Sequence, residues 1–157
     1  MVNVMKHNKT IELLAPAGSW EALEAAVNAG ADAVYMGGKA FGARQYASNF
    51  DREELTRAVY FAHMHRVRLY ITVNTLVDDA EMPELADYLL FLNNVGVDGI
   101  IVQDMGVINL ARRLVPQLPL HASTQMTVTE SRSALFLKSL GVCRIVPSRE
   151  LSLEEIR

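Results

Sequence analysis

Cysteine is almost missing from this chain. Cys143 stands alone among 157 residues, so no internal disulfide can form and no multi-cysteine metal site can be built within it. Long apolar runs are missing too. Stretches such as Tyr88 to Leu92 and Ile100 to Val102 fall far short of the roughly 20 residues that a membrane-crossing helix needs. Basic residues are not in excess: 15 Lys and Arg face 18 Asp and Glu, for a net charge of −3. That balance argues against a stand-alone nucleic-acid binder, which would carry a basic stripe. Residues 1–10 (MVNVMKHNKT) have no apolar core of the kind a secretory signal carries. No Walker or Rossmann fingerprint, no G-x-S-x-G elbow and no H-E-x-x-H pair occurs. The expectation is a reduced, cytoplasmic, globular chain without a membrane partner.

What is present is a regular alternation. Half the residues are apolar and 21% are charged, which excludes disordered and collagen-like classes. A chain of this length suits one domain that buries roughly 70% of its unfolded surface. Residues 1–10 read as a polar tail and 11–157 as the folded part. Short apolar runs occur at 11–16, 32–37, 67–74, 98–103, 118–124 and 143–148. Amphipathic helix patterns separate them, for example Leu55, Ala58, Val59 and Ala62, at spacings of three and four. Asp51–Glu54, Thr127–Glu130 and Ser152–Glu155 each match a capping box.

A weak internal repeat supports this reading. AGADAVYMGG (29–38), VGVDGIIVQD (95–104) and LGVCRIVPSR (140–149) align without gaps, each placing a helix-ending glycine before an apolar strand. Cys143 falls on the position of Asp32 and Asp98, which predicts a packed strand residue. Strands joined by helices imply a parallel sheet covered on both faces. Two architectures fit, a truncated parallel (β/α) barrel of TIM type with about six strand–helix units, or an open doubly wound sheet. Alternation favours the barrel. In 67–74, Val67, Leu69, Ile71 and Val73 share one face while Arg68, Tyr70, Thr72 and Asn74 share the other. In 119–125, Leu120 and Ala122 alternate with His121, Ser123 and Gln125. Aliphatic residues then point out to the helices and polar ones into a lumen. With the polar face inward, Glu12 and Arg68 fall at the amino-terminal ends of their strands, and an ion pair is predicted at the bottom of the lumen.

Ligands of α/β folds bind at the carboxyl ends of the strands. Here those ends carry Pro16-Ala17-Gly18, Gly37-Gly38, Asn74-Thr75, Gln103-Asp104, His121 to Gln125 and Ser148-Arg149-Glu150. Polar strand ends are also what any wet loop shows. The connection from Gly38 to Phe50 is 13 residues long, beyond the usual 2–6 of a βα loop. It carries Arg44, whose guanidinium fork suits a carboxylate or phosphate, flanked by Phe41, Tyr46 and Phe50. His121 is the candidate for acid–base work, with a satisfied interior histidine as the plainer reading. Asp104 opens a helix, where its simplest role is the N-cap. His63 and His65, two apart at a helix end, point to different faces and make poor metal partners.

At this point several ordered blocks carry a resemblance. ELLAPAGSWEAL (12–23), GADAVYMGG (30–38), FGARQYASNF (41–50), VNT (73–75), GVDGIIVQDMG (96–106), LHASTQM (120–126) and SRELSLEEI (148–156) resemble the N-terminal part of the collagenase-like protease family, peptidase family U32. The 41–50 loop looks most similar to large bacterial members involved in ribosomal RNA hydroxylation. The resemblance implies a TIM-barrel-like domain in a family first described as peptidases. Several of its members instead hydroxylate tRNA, ribosomal RNA or quinone precursors. They use iron–sulfur clusters and, in RNA-acting members, prephenate. Their cluster cysteines lie outside the part that resembles this chain, so no cofactor is expected within it. The matched positions suggest pocket roles for Arg44, Asn49, Asn74, Asp104, His121, Ser123, Gln125, Arg149 and Glu150, with no catalytic assignment. The functional expectation is an RNA hydroxylation enzyme that takes a small anionic co-substrate such as prephenate, with RNA held elsewhere. A peptidase and a non-catalytic ligand-binding barrel half are the alternatives. Six strands would also leave two sticky edges, so self-association of the chain is expected.

Overall fold

The computed structural model describes residues 11–43 and 50–157. Strands and helices alternate: β1 (Leu14–Pro16), α1 (Trp20–Asn28), β2 (Ala33–Gly37), α2 (Arg52–Met64), β3 (Arg68–Val73), α3 (Met82–Val95), β4 (Gly99–Val102), α4 (Met105–Leu114), β5 (Leu120–Ala122), α5 (Ser131–Ser139), β6 (Val142–Ile145) and α6 (Leu153–Ile156). Each of the first five predicted apolar runs contains a strand, and the sixth, 143–148, overlaps β6, which begins one residue earlier at Val142. The strands form one parallel sheet in the order β1-β2-β3-β4-β5-β6. A doubly wound sheet would reverse its order at a switch point, and none occurs among the described strands.

The sheet curves strongly. Five parallel steps of about 4.8 Å would put β1 and β6 roughly 24 Å apart in a flat sheet. Yet Arg144 Nη1 of β6 lies 2.5 Å from Oε1 of Glu12, just before β1. Hydrogen-bonded partners also climb obliquely, from Gly37 to Thr72, Ile101, His121 and Arg144. That row ends opposite Glu12 rather than the top of β1, which is the stagger of tilted strands wrapping round an axis.

The two faces sort as alternation predicts. Val34, Met36, Leu69, Ile71, Ile100, Val102 and Leu120 pack outward against Leu23, Leu55, Leu85, Leu89, Leu92 and Ile108 of the helices, all buried. Ala33, Tyr70 and Ile101, with Leu14 and Tyr35, form a separate inner cluster. The repeat holds in the backbone too. Gly30, Gly96 and Gly141 all have φ near +90°, a left-handed turn that costs an L-residue roughly 1–2 kcal/mol. Two residues on from Gly30 and from Gly96, an aspartate stands just before the strand. Asp32 accepts from Leu13 N at 2.7 Å and Asp98 from Leu69 N at 2.8 Å.

Two expectations need correction. Cys143 occupies the same strand-opening position, with Sγ 3.4 Å from Leu120 O, but its side chain is exposed rather than packed. A bulge between β5 and β6 shifts the register beside it. The Thr127–Glu130 capping box does not form. Thr127 takes a left-handed conformation (φ 53°) and Glu130 itself caps α5, accepting from Arg132 N and Ser133 N. The Asp51–Glu54 and Ser152–Glu155 boxes both form. Among the described residues, no helix is long and apolar enough to cross a membrane.

Candidate functional site

A cavity of about 370 Å³ opens at the carboxyl ends of the strands. Pro16, Ala17 and Gly18 wall it from the end of β1, Tyr35 and Gly37 from β2, and Thr72 and Asn74 from β3. Ile101 contributes from β4, Ser123, Thr124 and Gln125 from the β5 end, and Val146 and Arg149 from the β6 end. Tyr35, Thr72 and Ile101 reach the cavity from within their strands, and Asn74, Ser123, Gln125 and Arg149 reach it from the segments that follow β3, β5 and β6.

The polar groups form a connected set. Asn74 N donates to Phe41 O at 3.0 Å, and Asn74 Oδ1 accepts from Ala43 N at 3.1 Å, which pins the start of the long connection onto β3. Its other end is also anchored: Gly38 and Phe50 bridge, with Lys39 N 2.9 Å from Phe50 O. Asn74 Nδ2 then reaches across to Gln125 Oε1 at 2.6 Å. Ser123 Oγ donates weakly to that oxygen at 3.4 Å and accepts from Gln125 N at 3.2 Å. Arg149 stands at the rim and forms no ion pair among the described residues.

Asn74, Ser123, Gln125 and Arg149, four of the candidate residues, are thus brought together around one cavity. The other candidates are placed differently. His121 faces the lumen but lies below the cavity, 4% exposed, with its ring edge-on to Tyr70 at 4.6 Å. Burial, with the nearby Arg144 charge, pushes its pKa down to about 4, against a weaker opposite pull from Glu12. It lies in the barrel floor rather than at the rim, in surroundings that favour the neutral imidazole. Asp104 caps α4, with Oδ1 taken by Gly106 N and Val107 N, and does not wall the cavity. Glu150 accepts a hydrogen bond from Ser148 Oγ and is likewise not a wall residue. Arg44 and Asn49 lie outside the described residues. Tyr35, Thr72, Ile101 and Val146 were not singled out, although the period-two alternation of their strands carried the signal for Tyr35 and Thr72.

Beneath the cavity, Glu12 gathers the charges. Its carboxylate pairs with Arg68, as predicted, and also with Arg144, and accepts from the Tyr70 hydroxyl at 3.1 Å. Burial raises the Glu12 pKa, but Arg144, Tyr70 and Arg68 together outweigh it and hold the carboxyl below its ordinary value. Arg144 also lies over the Tyr70 ring, 5.3 Å from its centre. This is a structural plug: both carboxylate oxygens of Glu12 have partners.

Among the described residues no group of three or more His, Cys, Asp or Glu side chains converges to hold a metal ion. An iron–sulfur cluster needs several thiolates. Cys143, the one cysteine, sits at the start of β6, the far end of that strand from Arg149. The residues of this chain do not fit such a cluster.

Comparison with known proteins agrees with this geometry. Residues 18–157 match the model of peptidase family U32. The chain is 42% identical over 149 residues to the tRNA hydroxylation protein P1 of Bacillus subtilis, covering 95% of this chain and 35% of that protein. It is 41% identical to a 23S rRNA 5-hydroxycytidine synthase of Escherichia coli, covering 94% of this chain and 22% of that one. The chain therefore spans only 35% and 22% of the length of these two relatives. Among solved structures, the U32 peptidase Mk0906 superimposes with a TM-score of 0.73 at 16% identity, over 88% of this chain and 58% of that one. With a family match over almost its whole length and the same fold in a solved member, this chain belongs to peptidase family U32.

Proposed function

We propose that this chain is the barrel segment of an RNA hydroxylation enzyme, and that its mouth cavity holds a small anionic co-substrate such as prephenate. The observation that carries the reading is the 42% identity, across 95% of this chain, to a protein named for tRNA hydroxylation. The ribosomal RNA relative, at 41%, supports the same class of reaction. The cavity supports the co-substrate part: it is small, lies at the strand ends where α/β folds bind ligands, and carries Arg149 without an ion-pair partner among the described residues. RNA contact and any iron–sulfur cluster are assigned to parts of the protein outside this chain, in the cytoplasm.

A peptidase is the second reading, favoured by the family name and the Mk0906 structure. The described residues give it less support. Acyl transfer by serine needs a base within hydrogen-bond reach of the hydroxyl. Ser123 Oγ is engaged with Gln125, and the buried His121 forms no hydrogen bond with it. Mass spectrometry of RNA nucleosides from a strain lacking the protein, beside a fluorogenic peptide panel with the purified protein, separates the two. A missing hydroxylated nucleoside with no peptide cleavage supports RNA hydroxylation. Unchanged nucleosides with peptide cleavage overturn it.

A further inference from the structure

The two carboxamides at the mouth are oriented by groups that can act in only one way. A backbone N–H can only donate, so the Ala43 N–H, 3.1 Å from Asn74 Oδ1, obliges that atom to be the oxygen. The Asn74 NH2 must then face the other way, where it meets Gln125 at 2.6 Å. A donor there obliges Gln125 to present its oxygen. Ser123 fits the same order: its Oγ accepts from Gln125 N and turns its proton toward Gln125 Oε1. The acceptor atoms of both amides are therefore occupied within the network. What Gln125 has left over is its NH2, beside the five N–H donors of Arg149 in the same cavity wall.

From this order we propose that Asn74 is a specificity-determining positioning residue. It locks the Gln125 carboxamide with its NH2 free, so that Gln125 and Arg149 together offer a ligand donors and positive charge only, the complement of a small carboxylate. The inference rests on reading the cavity as the co-substrate site, and adds how that site selects. A ligand that brings a donor or a cation meets a Gln125 oxygen already engaged by Asn74 and Ser123 and an Asn74 oxygen already engaged by Ala43 N, which is discrimination by an unmatched polar group rather than by shape.

The lock can be inverted by one atom. Asn74→Asp keeps an oxygen for Ala43 N but places a second oxygen where the NH2 was. Gln125 must then turn to donate to it, and its oxygen becomes the group left over. Succinate is the probe, titrated calorimetrically into the intact protein. Asn74→Asp should weaken its binding by about tenfold or more, since each tenfold step is ~1.4 kcal/mol and a hydrogen bond to a charged group is worth at least that. Gln125→Glu, which keeps both acceptor roles but loses the NH2, should do the same. Thr124→Asp adds an equal charge to the same wall without touching the amides and should weaken binding less. All three variants should retain the melting temperature.

Equal weakening by Thr124→Asp and Asn74→Asp would reduce the effect to charge and overturn the lock. No succinate binding by the unsubstituted protein, or tighter binding of inorganic phosphate, would overturn the carboxylate assignment. RNA from the deletion strain keeps this result separate from the reading beneath it. Nucleosides lost on deletion but restored in full by Asn74→Asp would overturn the lock and leave RNA hydroxylation standing. Nucleosides unchanged on deletion, with succinate binding as described, would do the reverse.

Discussion

Acid should weaken this domain through His121 before it reaches the carboxylates. The folded protein holds His121 neutral down to about pH 4, because burial and Arg144 disfavour its cation. An unfolded chain protonates histidine near pH 6.5. Between these values the unfolded state binds more protons than the folded state, so stability falls as pH falls. Between pH 7 and pH 5 the loss from this group is about 2 kcal/mol, rising to about 3 kcal/mol by pH 4. The ring is 4% exposed, so solvent screening removes little of this. Urea unfolding at pH 7 and pH 5, on the unsubstituted protein and on His121→Phe, isolates the effect. Phenylalanine keeps the edge-on contact with Tyr70 and cannot titrate. The unsubstituted protein should lose about 2 kcal/mol more than the variant over that range. Parallel losses in the two proteins would show that His121 is solvated, and would restore it as a candidate rim base.

Three further outcomes follow from particular contacts. Glu12→Gln leaves Arg68 and Arg144 facing each other and should cost about 1–3 kcal/mol in urea unfolding, less than the roughly 3–5 of a fully buried pair, because the Arg68 side chain is 60% exposed against 16% for Glu12. The Glu12 contribution should be present above its ordinary pKa of about 4.5 and disappear as pH falls through its depressed folded value. Gly38→Ala would put a methyl 2.1 Å from the Tyr88 hydroxyl, which is buried without a hydrogen-bond partner. Alone it should destabilise by about 1–3 kcal/mol; Tyr88→Phe alone should be neutral or stabilising, and the pair should be strongly non-additive in thermal unfolding. Asp104→Ala should cost about 1 kcal/mol as a lost cap while leaving succinate affinity unchanged, because its oxygen is spent on α4.

The faces of the strands were legible and their heights were not. Period-two alternation put Leu69, Ile71 and Val73 outside and Arg68, Tyr70 and Thr72 inside, and the structure agrees. It put His121 on the lumen side as well. Only the oblique row from Gly37 to Arg144 shows that His121 belongs to the floor with Tyr70 while Ser123, two residues on, reaches the mouth. That stagger is a property of the assembled sheet, with no local signal. The same holds for Arg144, which meets Glu12 across the lumen from 132 positions away in the sequence. The Thr127–Glu130 pair failed for another reason, whereas Asp104 took the N-cap role that was its simplest reading. Each local pattern had two physical solutions, and backbone geometry chose the cap at Asp104 and the left-handed turn at Thr127. Cys143 matched Asp32 and Asp98 by alignment and occupies their place in the strand, but its burial depended on neighbours that alignment does not describe.

The central claim is that the cavity at the strand ends of this chain serves RNA hydroxylation. Gly18 walls that cavity, and a Cβ added to it meets no atom within 4 Å. Gly18→Leu should therefore fill the cavity without disturbing the fold. The direct measurement is quantitation of hydroxylated nucleosides, by mass spectrometry, in RNA from a deletion strain complemented with the unsubstituted protein or with Gly18→Leu. We expect the unsubstituted protein to restore the modification and the variant, present at the same level with the same melting temperature, to leave it absent. Full restoration by Gly18→Leu would contradict the account.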